Sequence, residues 1–437
     1  MTTGSLAQPA ASDPALRMER MYRIVVSVFL VSTFWDSGER LVGSFERVTG
    51  LVGLTAPMFA MIPLTMVGLL LWRIPRDRIA IACSGMILLW VSVQLIAGES
   101  LRGAVLVGSV LVFSLVVAGI RSNPALLWFQ MRAAVVGPSL AAAAYYVGMY
   151  QVTYRGGWTL PPFNENSLAV YLGTGLIIGL GLACRRKKHA VFRCVALAIV
   201  FMPPLLVTGS RTGLMLTLFA VGGFFVVQIR ARLALVAVAG GSLLLLAGTL
   251  VAAFVALAGT NIDERFSNEG WRSRYSVTRL ASAQDMRFTL IWSGLQAGMR
   301  RPWIGHGLDA PRSFDWLSRN MVYMYIEDEG VGTINGYVDY LIMGGFPLVV
   351  LFLLLYLRVA WRLFRAARTS SGEARKLFAL AVGLNLIFLL EIFTGETFGK
   401  FGWWLFGFGF QALGAEGMDP SEPPASKPRP AALPATG

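Results

Sequence analysis

The sequence predicts an all-α, polytopic membrane protein with about twelve transmembrane helices and one large polar loop containing an amphipathic helix. Three observations predict it. The 437 residues are 55% hydrophobic and only 14% charged, with a mean hydropathy of +0.62, a profile of membrane rather than soluble chains. Apolar stretches close to the ~20 residues that cross a bilayer recur along the chain. Between the ninth and tenth of them lies one polar segment, 259–334, far longer than any other interior loop.

The apolar stretches fall at 22–35, 51–72, 79–97, 103–120, 131–150, 167–184, 190–207, 212–228, 233–258, 336–357, 377–394 and 401–414. None alternates apolar and polar residues as an outer-membrane barrel strand would. Residues 1–20 are polar and read as a disordered cytoplasmic segment, and 21–258 hold nine helices. The loop 259–334 follows, then three helices over 335–414, then a proline-rich disordered tail over 415–437. The first stretch lacks a small-residue cleavage site and reads as a helix rather than a signal peptide.

The net charge of +14 does not point to nucleic acid, because the charges follow the helices. With both termini in the cytoplasm, the cytoplasmic loops hold Arg73, Arg76, Arg78, Arg121, Arg185, Arg186, Lys187, Lys188, Arg230, Arg232, Arg358, Arg362, Arg365, Arg368, Arg375 and Lys376. The short opposite loops hold few cations, as the positive-inside rule requires. The 259–334 loop is then extracytoplasmic and too long to be a topology signal. It carries nine Arg, nine acidic residues and no Lys, so its basicity suits planar, bidentate contacts with phosphate or carboxylate. Three Cys and two His provide neither a disulfide framework nor a metal-binding motif. No internal repeat, Walker motif or dinucleotide fingerprint is present, which disfavours ATP-driven transport.

Four segments can carry chemistry. Phe163 to Ala169 opens the sixth helix, where Asn164 or Asn166 either binds substrate or caps the helix. Thr208 to Gly213 makes a tight turn that places Ser210 and Arg211 at the membrane surface. Arg211 either serves function or snorkels to lipid headgroups. In the long loop, Ser282 to Asp285 reads as a capping box. Phe288, Trp292, Leu295 and Met299 recur behind it as an apolar stripe, with Asp285, Thr289, Ser293, Gln296 and Arg300 opposite. This amphipathic helix stops before Pro302 and lies on the membrane surface or covers a cavity. Arg287, Arg300 and Arg301 flank it and can converge on an anionic headgroup. His306 follows in a glycine turn, where it is either a base or incidental. Finally, Thr333 to Asp339 leads into a helix that Pro347 is expected to kink. Asn335 and Asp339 share one face of it, and Tyr337 lies between them.

These segments resemble the O-antigen ligase and polymerase superfamily, and they run in that family's order. Asn164 to Ala169 is similar to its N-x-N-x-x-A stretch and Ser210 to Gly213 to its S-R-x-G turn. Arg287 to Trp292 followed by Arg301 to Gly307 resembles its R-x-x-x-W helix and glycine loop. Asn335-Gly336-Tyr337 resembles its H-N-x-Y-L segment. One departure stands out: the position of the family's His is Ile334, which cannot take a proton. His306, Asp339 and the acids at 327–329 are the candidates to replace it.

The resemblance implies a multi-pass protein of the bacterial inner membrane with its long loop in the periplasm. It implies a polyprenyl-pyrophosphate-linked oligosaccharide as donor, attacked by an acceptor sugar hydroxyl, with no metal and no cofactor. Arg211 and Arg287 would neutralise the leaving pyrophosphate, and His306 or Asp339 would handle the acceptor proton. Asn164, Asn166, Ser210, Arg300, Arg301, Asn335 and Tyr337 would bind substrate. Membrane lipid and proteins of polysaccharide export or chain-length control are candidate partners; nucleic acid is not. Polymerisation of exopolysaccharide or O-antigen repeat units is the first reading and ligation of a finished glycan the second. A flippase for the same lipid-linked sugar and a non-catalytic scaffold are the readings from other classes.

Overall fold

Helices form over eleven of the twelve apolar stretches in the computed structural model, among the residues it describes: 14–35, 56–75, 77–96, 101–149, 151–152, 158–159, 165–185, 188–228, 290–308, 310–321, 325–327, 330–332, 335–394 and 400–415. The remaining stretch, 233–258, lies outside the described residues, as do the capping box at 282–285, Arg287 and Asn164.

The helices are α1 (Pro14–Ser32), α2 (Ala56–Leu70), α3 (Arg78–Ile96), α4 (Leu101–Gly119), α5 (Pro124–Ala134), α6 (Val136–Tyr146), α7 (Glu165–Arg185), α8 (Ala190–Val207) and α9 (Arg211–Gln228). After them come α10 (290–298), α11 (Phe314–Asn320), α12 (Gly336–Thr369), α13 (Gly372–Thr394) and α14 (Lys400–Leu413). Two short hairpins also occur among the described residues, pairing β1 (Gln151–Val152) with β2 (Trp158–Thr159) and β3 (Tyr325–Glu327) with β4 (Gly330–Gly332). Among the described residues, five helical segments are long and apolar enough to cross a membrane: 78–96, 124–146, 166–185, 190–207 and 336–369. The chain is an all-α integral membrane protein.

The starts follow from ordinary caps. Asp77 accepts from the Ile79 and Ala80 N–H groups at the head of α3. Asn123 accepts from Leu126 N ahead of Pro124, and Asn335 accepts from Tyr337 N and Val338 N. Some boundaries move. α1 begins at Pro14, so Leu16 to Arg20 join a helix instead of the polar tail, steadied by the Glu19–Arg23 ion pair one turn apart. The fifth stretch begins at Pro124 and is two helices joined at Val135.

α13 is the hub of the bundle and packs against α7, α9, α12 and α14. Small residues set the closest approaches: a side chain at Gly383 would meet Ala220 O, and one at Gly181 would meet Leu380. An aromatic cluster fills the space between α12, α13 and α14. Tyr340 stacks on Phe352, and its hydroxyl lies 2.8 Å from that of Tyr356 in the buried core.

Candidate functional site

α7, α9 and α12 all begin at one end of the bundle, because α13 runs antiparallel to them. α13 starts beside Arg185 and Val227, the last turns of α7 and α9, and reaches the Tyr337 hydroxyl with Leu389 O near its finish. Helix N-termini expose N–H groups and the positive end of the helix dipole, so this end favours anions.

Two sequence-predicted segments meet here. The Ser210 hydroxyl donates to Asn166 Oδ1 at 2.7 Å, and Ser210 Oγ accepts from Gly213 N at 3.1 Å, which caps α9. Asn166 therefore ties α7 to α9 rather than capping its own helix. Gly209 adopts a left-handed φ of +68°, which lets the chain turn from α8 into that cap. A side chain at Gly213 would collide with the Ala169 methyl group, so the small residues of both segments are a packing requirement. Arg211 is the first residue of α9.

The third segment is built around a break in α12. Gly345 has φ +69° and ψ −168°, which no helix accommodates, so the chain breaks there rather than at Pro347 two residues later. Pro347 contributes differently: it has no N–H to give back to Met343 O. The break and the proline leave Ile342 O, Met343 O and Phe346 N without helical partners. The loop after α10 supplies all three. His306 N donates to Ile342 O (2.6 Å), Gly307 N to Met343 O (3.3 Å), and Phe346 N to Pro302 O (2.6 Å). Gly305 lies so close that a side chain there would meet Gly344 N and Met343 O at 2.5 Å. Gln94 of α3 donates to Ile304 O at 3.1 Å and pins the loop from a third helix.

His306 is half-buried. Its Nε2 lies 2.9 Å from Ala297 O, so Nε2 carries the proton, and its ring packs 4.9 Å from Trp316. Burial is the main cause that holds its pKa below the ordinary value, with Arg301 and Arg300 adding to the effect against the Ala297 hydrogen bond. The ring is neutral at neutral pH and holds α10, the loop and α11 together. Arg300 and Arg301 are exposed, and Arg300 donates to Asn320 at the end of α11. Asn335 is buried as the cap of α12, and Asp339 stands one turn further on in that helix.

The helix expected to be amphipathic is helical over 290–298. Leu290, Ser293, Gly294, Ala297 and Gly298 face inward, and Gly298 touches Leu341 of α12. Trp292 and Met299 are 53% and 51% exposed. Ile291 and Leu295 pack beside the small-residue side against Ala310, Val338 and Ile342, and Trp292 and Met299 point out. Hydrophobicity alone cannot make that choice, because docking here depends on close backbone approach.

Sequence reasoning missed Gln94 and Trp316. Gln94 was the findable one, since an amide within an apolar helix asks for a partner. Among the described residues, no group of three or more His, Cys, Asp or Glu side chains could hold a metal.

Residues 204–353 match the protein family described as O-antigen ligase. The match spans the Ser210 turn, the loop and the head of α12, and it supports the O-antigen ligase and polymerase superfamily for this chain. No curated protein matches the chain.

Proposed function

We propose that this protein polymerises lipid-linked oligosaccharide repeat units at the periplasmic face of a bacterial inner membrane, using polyprenyl pyrophosphate as the leaving group. The observation that carries the reading is the Asn166–Ser210 hydrogen bond, which joins two family-like segments at the head of α9, the helix that starts with Arg211. Arg211 and Arg287 bind the pyrophosphate with paired, charge-assisted hydrogen bonds. Asn164, Asn166, Ser210, Asn335 and Tyr337 orient the sugars, and Arg300 and Arg301 draw the headgroup in.

The acceptor hydroxyl oxygen forms a bond to the anomeric carbon. The bond from that carbon to the phosphate oxygen breaks, and polyprenyl pyrophosphate leaves with the electron pair. Asp339 takes the acceptor proton in place of the base that Ile334 cannot be; it stands one turn after Asn335. His306 is the second candidate; its ring packs between Ala297 O and Trp316.

Ligation of a finished glycan to an acceptor is the second reading, favoured by the description of the matched family. Sizing the polyprenyl-linked glycans of a deletion strain separates the two. Accumulated single repeat units with no long chains support polymerisation. Full-length chains stranded on the carrier lipid mean ligation, and units trapped on the cytoplasmic face mean a flippase. The topology has its own check. A cysteine replacing Trp303, which is 70% exposed, is expected to react with an impermeant reagent from the periplasm. Reaction only from the cytoplasm overturns the orientation and the function with it.

A further inference from the structure

At the opposite end of the bundle, α9, α12 and α13 enclose a groove of about 440 Å³. Every residue lining it is apolar, among them Gly223 and Val227 of α9, Trp361 and Phe364 of α12, and Val382 and Leu386 of α13. Trp361 stacks against Phe364 at 6.2 Å and is 61% exposed, so the groove opens sideways beside an indole ring. The mouth is cationic. The Arg368 guanidinium lies 5.6 Å over the Phe364 ring, one turn beyond the groove. Arg375 donates to Val227 O through Nε and Nη2, at 3.2 and 2.9 Å. Arg365 follows Trp361 by one turn, and both Arg365 and Arg368 are exposed. The neighbouring acid, Glu373, is paired with Arg185.

We propose that this groove holds an acyl chain of an anionic phospholipid whose phosphate rests on Arg365, Arg368 and Arg375. The two halves of the site select for this together. An acidic peptide would leave the apolar walls unfilled. A lipid without net negative charge would bring the guanidiniums less stabilisation, and a basic pocket between membrane helices is suited to an anionic headgroup. The volume is in the roughly 300–1,000 Å³ range of small-molecule sites. This site is independent of the glycan reading, since it needs neither Arg211 nor the loop.

Native mass spectrometry of the purified full-length protein tests it, with phosphatidylglycerol and phosphatidylcholine of identical acyl chains as probes. Wild-type protein is expected to retain phosphatidylglycerol at least about tenfold more strongly, a preference of the order that one or two surface charges give. The exposed pair Arg365→Gln and Arg368→Gln, combined, should weaken that retention roughly thirty-fold. Ala360→Phe, on the groove wall, should abolish it without changing the charge. Both variants should elute from a sizing column as wild type does. Equal retention of the two lipids overturns the proposal. Retention that survives Ala360→Phe overturns it as well, by reducing it to surface charge. Absence of any retained lipid also overturns it.

Discussion

The two ends of this bundle are held by different chemistry. Among the described residues, the end where α7, α9 and α12 begin is tied by the Asn166–Ser210 hydrogen bond, the Asn335 cap and three backbone bonds from the loop to the broken α12. At the other end the ties are ionic. Arg358 and Arg362 both reach Asp77 at 3.0 Å, and Arg185 pairs with Glu373. Lys376 donates to Cys184 O and Arg185 O, and Arg375 to Val227 O, so cations neutralise the carbonyls at the ends of α7 and α9. These ion pairs anchor the end away from the one proposed to work on an anion.

The sharpest way to break this comparison is at Arg211. Arg211→Ala and Arg287→Ala should each lower polymer by about 10²–10³-fold while membrane levels of the protein stay normal, as expected for losing transition-state charge stabilisation. Wild-type polymer from a well-expressed variant would remove the proposed pyrophosphate clamp. Asp339→Asn should cost about 10²-fold or more in polymer, against a much smaller loss for His306→Asn. The reverse order would make His306 the base.

Stability probes sharpen the contrast further. Gly345→Ala should destabilise the protein by about 3 kcal/mol, through a left-handed backbone and a side chain forced against Pro302. Thermal unfolding in detergent reads this directly. Asp77→Asn should cost less, about 1–2 kcal/mol, because its two arginines are a third exposed and regain water. Burial pushes the Asp77 carboxyl up, but hydrogen bonds from Arg362, Ala80 and Arg358 outweigh it and hold the pKa below the ordinary range. Its stabilisation is therefore complete above the unfolded value of about 4 and is lost as pH falls further.

The smallest effect belongs to His306. With its folded pKa depressed, the docked loop is most stable above the unfolded value of about 6.5 and loosens as pH drops below it. Unfolding of wild type at pH 8 and pH 5 should show this difference, and His306→Asn should flatten it.

Most of the fold could be read from the chain, because hydropathy is local. The apolar stretches gave most helices to within a few residues, except that α1 starts eight residues earlier at Pro14, the Asn123-Pro124 cap resets the start of α5, and α12 runs on past 357 to Thr369. The glycine turn around His306 was also legible. Three things were not. The break at Gly345 looked like a proline kink, since only the packed loop shows which carbonyls need donors. The buried side of 290–298 went to Ser293, Gly294 and Ala297 rather than the bulkiest residues. The meeting of Asn166 with Ser210 joins positions far apart in sequence, and nothing in either segment alone names its partner.

The loop that completes α12 is made before α12 itself. While the chain is being synthesised, residues 302–307 emerge first, and the helix that needs their hydrogen bonds follows. Until the two meet, Ile342 O, Met343 O and Phe346 N enter lipid without partners, at a cost of several kcal/mol each. Membrane insertion of this helix and docking of the loop are therefore expected to be coupled. A lesion in either half should appear first as protein that the cell degrades, before any defect in chemistry can be measured.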